Sequence, residues 1–89
     1  MTDLEMVKLC AEKMGIEPYS DGFIFDEHGH EYYPLTNDAQ AFALVKRMGL
    51  SIKHIGEWAV SHHPDIVPYA VINKDLNRAI VECVSRLPD

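Results

Sequence analysis

No stretch of this chain approaches the roughly 20 consecutive apolar residues that a membrane-crossing helix requires. The opening Met1-Thr2-Asp3-Leu4-Glu5 is too acidic and polar to read as a secretion signal. No membrane contact and a cytoplasmic location are therefore expected. Clustered positive charge is missing as well. Eight basic residues stand against fourteen acidic ones, so 8 − 14 = −6. Phosphate-backbone binding needs a concentrated basic face, and the only close basic pairs, Lys46-Arg47 and more loosely Arg78 with Arg86, belong to helical patterns as solvated faces. A nucleic-acid partner is thus disfavoured.

Cysteine is scarce. Cys10 and Cys83 each fall on the apolar side of a predicted helix, the place of buried thiols in a reducing compartment. A disulfide between them requires the first and third helices to be neighbours. The five glycines are dispersed at caps and turns, which leaves no Gly-rich phosphate loop. No G-x-S-x-G element is present. Ser61 directly precedes His62, but a Ser–His dyad depends on approach in space rather than on adjacency.

What the chain does have is length for one domain, 89 residues, and an ordinary share of apolar residues, 47%. These are spread periodically. Thr2 with Glu5 forms a capping box for a helix over about Asp3–Met14, with a stripe of Leu4, Val7, Cys10, Ala11 and Met14, ended by Gly15. Thr36 or Asn37 caps a second helix over about Asp38–Met48, with Ala39, Phe42, Leu44 and Val45 inward and Gly49 at its end. Asn73 is a plausible cap for a third, over about Lys74–Leu87, with Leu76, Ala79, Ile80, Cys83, Val84 and Leu87 on one stripe.

Between the helices lie short strand signals. Phe23-Ile24-Phe25 and Glu31-Tyr32-Tyr33 flank a turn at 26–30, and Pro34 stops that hairpin. Leu50–Ile55, Trp58–His62 and Tyr69–Ile72 supply three more strands. The predicted fold is a single α+β domain over 1–89, ordered α-β-β-α-β-β-β-α. Three helices pack on a small, mostly antiparallel sheet as an α-β-α sandwich.

Five histidines raise a metal hypothesis. Asp26, His28 and His30 stand at i, i+2, i+4, which on a strand would put three ligands on one face for zinc or another divalent ion. Gly29 works against this, because in a turn the alternation of faces fails. His62, His63 and Asp65 form a second group, but neighbours on an extended chain face opposite sides. Among the aromatics, Tyr32, Tyr33, Trp58 and Tyr69 are candidates for a protein interface, since exposed Tyr and Trp are enriched there. Adjacent Tyr32 and Tyr33 must point to opposite faces. The bland alternative is that Trp58 is core and the tyrosines line its rim.

From Tyr33 onward the chain resembles a family of small phage and prophage proteins with an α-β-α sandwich domain. The residues that carry the resemblance are Tyr33-Pro34, then Thr36-Asn37-Asp38-Ala39-x-Ala41-Phe42, Val45, Met48-Gly49-Leu50-Ser51-Ile52, Trp58-x-Val60 and Asp75-Leu76-x-x-Ala79-Ile80. They span about two thirds of the chain up to Leu87. The resemblance implies the fold and a phage or prophage origin, and no particular activity.

The leading functional expectation is a non-enzymatic interaction module, a phage accessory protein acting on an unidentified host or phage protein. A homodimer through free sheet edges or helix faces is also expected. Two alternatives belong to other classes. One is a metal-binding enzyme or sensor using the His28/His30 hairpin. The other is an acidic decoy that mimics DNA, though mimicry wants a dense acidic stripe.

Overall fold

The computed structural model describes residues 1–19, 22–62 and 70–87. Within them lie α1 (Asp3–Lys13), α2 (Asp38–Met48), β1 (Ser51–His54), β2 (Trp58–Ser61), β3 (Val71–Asn73) and α3 (Leu76–Ser85). The strands form one antiparallel sheet in the order β1-β2-β3, with Ile52 opposite Val60 and Val60 opposite Val71. The α+β class and the broad order of elements are those expected from the sequence.

The strand count differs. Segments 23–25 and 31–33 pair through a single bridge, Phe25 with Glu31, rather than as two strands. The reason is local. Tyr32 N–H donates to the Ile24 carbonyl at 2.7 Å and Asp26 N–H to the His30 carbonyl at 2.8 Å. Past Asp26 the chain turns on its own side chain, and Pro34 has no N–H to extend the ladder.

Helix ends follow the local chemistry. Glu5 N–H donates to Thr2 Oγ1 at 3.2 Å and Thr2 N–H to Glu5 Oε1 at 3.3 Å, closing the capping box of α1. Its other end is a Schellman turn. Gly15, at φ +75°, donates to the Glu12 carbonyl and Ile16 to that of Ala11. Asn37 caps α2 by accepting from Gln40 N–H at 3.0 Å. For α3 the cap is Asp75, which accepts from Arg78 N–H, while Asn73 instead accepts from Asp75 N–H.

The core is layered around α3. Ala79, Ile80, Val81, Cys83 and Val84 are all buried, and they span roughly 200° of the helix circumference at about 3.6 residues per turn. Arg78, Glu82 and Ser85 take up the remaining side, and a buried arc wider than one face needs cover from more than one element. The face of the sheet that carries Val60 and Val71 covers one side, and α1 and α2 cover the other. The layers run sheet, α3, then α1 with α2, so the helices lie on one side of the sheet and α3 is the one packed directly on it, rather than sandwiching it as expected. On the far sheet face Lys53 and Ile72 are exposed. Polar clips fix the helix starts. One guanidinium nitrogen of Arg78 donates to both Asp3 carboxylate oxygens at 2.9 Å, and Asn77 Nδ2 donates to Asp38 Oδ1 at 2.8 Å.

The apolar stripe of α2 is rotated from its expected position, while that of α1 holds at Val7, Cys10, Ala11 and Met14 and fails only at Leu4. In α2 the buried residues are Gln40, Ala41 and Leu44, while Phe42 is 51% exposed and Ala39 is also exposed. In α1, Met6 is buried with Val7, Cys10 and Ala11, while Leu4 is 56% exposed.

Candidate interaction surface

Gln40 is the buried polar residue that positions the surface. Its Oε1 accepts from Tyr33 N–H at 2.6 Å, and its Nε2 donates to the Glu31 carbonyl and to Asp26 Oδ2, both at 2.9 Å. The second Asp26 oxygen accepts from His28 N–H and His30 N–H, each at 2.9 Å. These hydrogen bonds, from Gln40 first and from the turn amides, stabilise the charged form. They hold the Asp26 carboxyl below the usual carboxylate range. The turn is thereby pinned to α2.

This geometry places the sequence-derived metal set. Asp26, His28 and His30 do lie together, with the two rings 6.4 Å apart and His30 Nδ1 3.9 Å from Asp26 Oδ2. The carboxylate is taken up by three N–H donors, and His28 leans toward Glu27 at 3.6 Å. Among the described residues, no group of three His, Cys, Asp or Glu is gathered to hold a metal ion. His63 and Asp65 lie outside the described residues.

The sequence-derived interface set is dispersed. Tyr32 is only 3% exposed and belongs to the core. Its hydroxyl finds no hydrogen-bond partner among the described residues, and burial pushes its pKa up. Tyr33 packs half-buried against the core, and Trp58 is half-buried with its ring 4.6 Å from that of His54 across the β1–β2 pair. Tyr69 lies outside the described residues.

The aromatic residues that do reach the surface together are others. Tyr19 is 63% and Phe23 56% exposed, and both lie against Phe25, with ring centroids 5.5 and 6.3 Å away. The cause is period-two alternation. Ile24 is buried, so Phe23 and Phe25 share the outward face. Tyr19 N–H donates to the Phe23 carbonyl at 2.8 Å and brings its ring alongside. The exposed Leu4 approaches from α1. Between α1 and the hairpin runs a groove of about 390 Å³, lined by Leu4, Val7, Phe23 and Ile24, with Lys8 and Glu31 also on its walls. A second hollow of about 410 Å³ lies beside it, where Met14 and Ile16 meet Asp26, His28 and Arg47.

Charge is segregated in the same part of the chain. Residues 1–33 hold eight of the fourteen acidic residues and two of the eight basic ones, so 2 − 8 = −6. Residues 34–89 hold six of each and sum to zero. The aromatic cluster therefore sits in the segment that carries the entire formal charge. Counting charge by segment, and applying the alternation of Phe23-Ile24-Phe25, marks this region from sequence. Neither signal singles out Tyr32 or Trp58.

The thiols stand apart from this surface. α1 and α3 are neighbours, and Cys10 Sγ donates to the Val81 carbonyl at 3.7 Å. Both cysteines are free and buried, and burial raises the Cys10 pKa to about 12 and that of Cys83 in the same direction. These are core groups.

Fold and surface together define a small α+β domain with an exposed aromatic cluster beside α1, within the acidic first third of the chain. No helix among the described residues is long and apolar enough to cross a membrane. Comparison with protein-family models, curated proteins and solved structures finds no match to this chain.

Proposed function

We propose that this protein is a non-enzymatic interaction module that docks another protein on the face formed by Leu4, Tyr19, Phe23 and Phe25. The observation that carries this reading is the exposed aromatic cluster of Tyr19, Phe23 and Phe25, of which Phe23 also lines an apolar groove. Contiguous apolar surface rimmed by polar residues marks interaction sites, and aromatic anchors dominate their energetics. Gln40 holds the hairpin to α2, so the face is largely formed before binding.

A phage or prophage accessory role in the cytoplasm of a bacterial host is part of the proposal. Its support is the resemblance carried by residues 33–87. The test is an affinity capture from lysate with wild type, a Phe23→Ser/Phe25→Ser variant and a Phe42→Ser control. The reading predicts a salt-resistant partner kept by wild type and the control and lost by the double variant. Equal capture by all three contradicts it.

A further inference from the structure

Resting on that reading, we infer that the occupant of the groove is a basic segment of a partner protein, with one apolar side chain as its anchor. The groove supplies the apolar half of the argument. Its volume of about 390 Å³ is near the low end of the roughly 300–1,000 Å³ of small-ligand pockets. That gives room for an anchoring side chain rather than for a whole element. Leu4, Val7, Phe23 and Ile24 offer it a hydrocarbon lining, and an anchor in such a slot dominates binding.

Charge chooses the partner. The segment that builds both walls, residues 1–33, carries net −6, while the rest of the chain is neutral. Glu5, Glu12, Glu17, Glu27 and Glu31 are exposed in it. A second copy would bring the same acidic segment, with Glu5, Glu12 and Glu31 exposed on it, to this groove, and like charges at close range oppose association. A basic segment is drawn to this face and bound more firmly on it. Lys8 and Glu31 add direction: the partner's cations lie on the Glu31 side of the anchor, away from Lys8.

The probes are short synthetic peptides with arginines flanking a central leucine, titrated into the labelled full-length protein and followed by NMR amide shifts. The controls replace the leucine by serine, or the arginines by glutamates. The proposal predicts shifts at Leu4, Lys8, Phe23 and Glu31. It predicts affinity about tenfold weaker for the serine peptide and for protein carrying Phe23→Ser, the scale of losing an anchor. Glu31→Lys weakens binding and Lys8→Glu strengthens it. Phe23 and the Glu31 and Lys8 side chains are exposed, so these variants keep the fold.

Equal binding of the serine peptide, equal binding of the glutamate peptide, or affinity indifferent to Phe23→Ser overturns the inference. So does self-association of the wild type that Phe23→Ser abolishes, since the occupant is then a second copy. Capture of an acidic partner, lost in the Phe23→Ser/Phe25→Ser variant, would leave the interaction reading standing while removing this one.

Discussion

Gln40 Nε2 donates to Asp26 Oδ2 at 2.9 Å across fourteen residues, tying the hairpin turn to the first turns of α2. The same amide serves the Glu31 carbonyl, and its oxygen serves Tyr33 N–H. One side chain thus organises both arms of the segment that carries the aromatic face.

Replacing it should be costly. Gln40→Leu keeps similar bulk but leaves Tyr33 N–H and the Glu31 carbonyl without this partner. Full burial of such a group without a partner costs about 1–3 kcal/mol, and for these part-buried groups that is the upper range. Urea unfolding should show a loss of up to that size, and amide exchange at Tyr33 should quicken. A change smaller than ordinary surface substitutions produce would mean that Gln40 does not hold the hairpin.

Asp26 gives the hairpin a pH dependence. Its pKa in the folded protein lies below the ordinary 3.8, so the folded state favours the carboxylate more than the unfolded chain does. Its stabilisation is fully present well above pH 3.8 and is lost progressively as pH falls through 3.8 and then the lower folded value. Glu5, held down chiefly by the Thr2 hydroxyl, acts with the same sign below its own ordinary 4.5. Comparing wild type with Asp26→Asn across a pH series isolates the first effect. The gap between them should be constant above about pH 5 and should close at lower pH.

Tyr32→Phe removes a buried hydroxyl that lacks a partner among the described residues. The ring stays in the core, so stability should hold or rise by up to about 1 kcal/mol. A thermal melt checks the direction. A loss of more than about 1 kcal/mol would mean that the hydroxyl is hydrogen-bonded in solution.

Cys10 and Cys83 should resist a thiol-specific reagent at neutral pH while the protein is folded. Both are buried, and a pKa near 12 leaves Cys10 with negligible thiolate. Two thiols per chain should react once guanidinium unfolds it. Rapid labelling of the native protein would contradict the packing of α1 on α3.

Much of the helical framework is legible from residues alone, because caps are local. Thr2 with Glu5, Asn37, Gly15 and Gly49 act where their chemistry predicts. Helix orientation is less legible. Apolar residues line more than one side of α2, and the choice of Ala41 and Leu44 over Ala39 and Phe42 depends on where α3 lies. Leu4 is exposed for the same reason. Val81 is buried because α3 is covered by more than one neighbour, so its buried arc is wider than the single stripe of Leu76, Ala79, Ile80, Cys83 and Val84. Gln40 was the hardest to foresee, since its three partners become neighbours only when the hairpin folds onto α2. The aromatic face lay between these cases. Alternation sets Phe23 and Phe25 on one side of the segment, but only the packing of Ile24 shows that this side faces water.

The most direct test of the central claim is hydrogen–deuterium exchange of the full chain, alone and with its captured partner. The account predicts added protection in α1 and in residues 22–33, with Ser51–His54 and Val71–Asn73 unchanged. Protection concentrated on those two edge strands, with α1 and the hairpin unaffected, would show that partners bind by strand addition and not on the aromatic face.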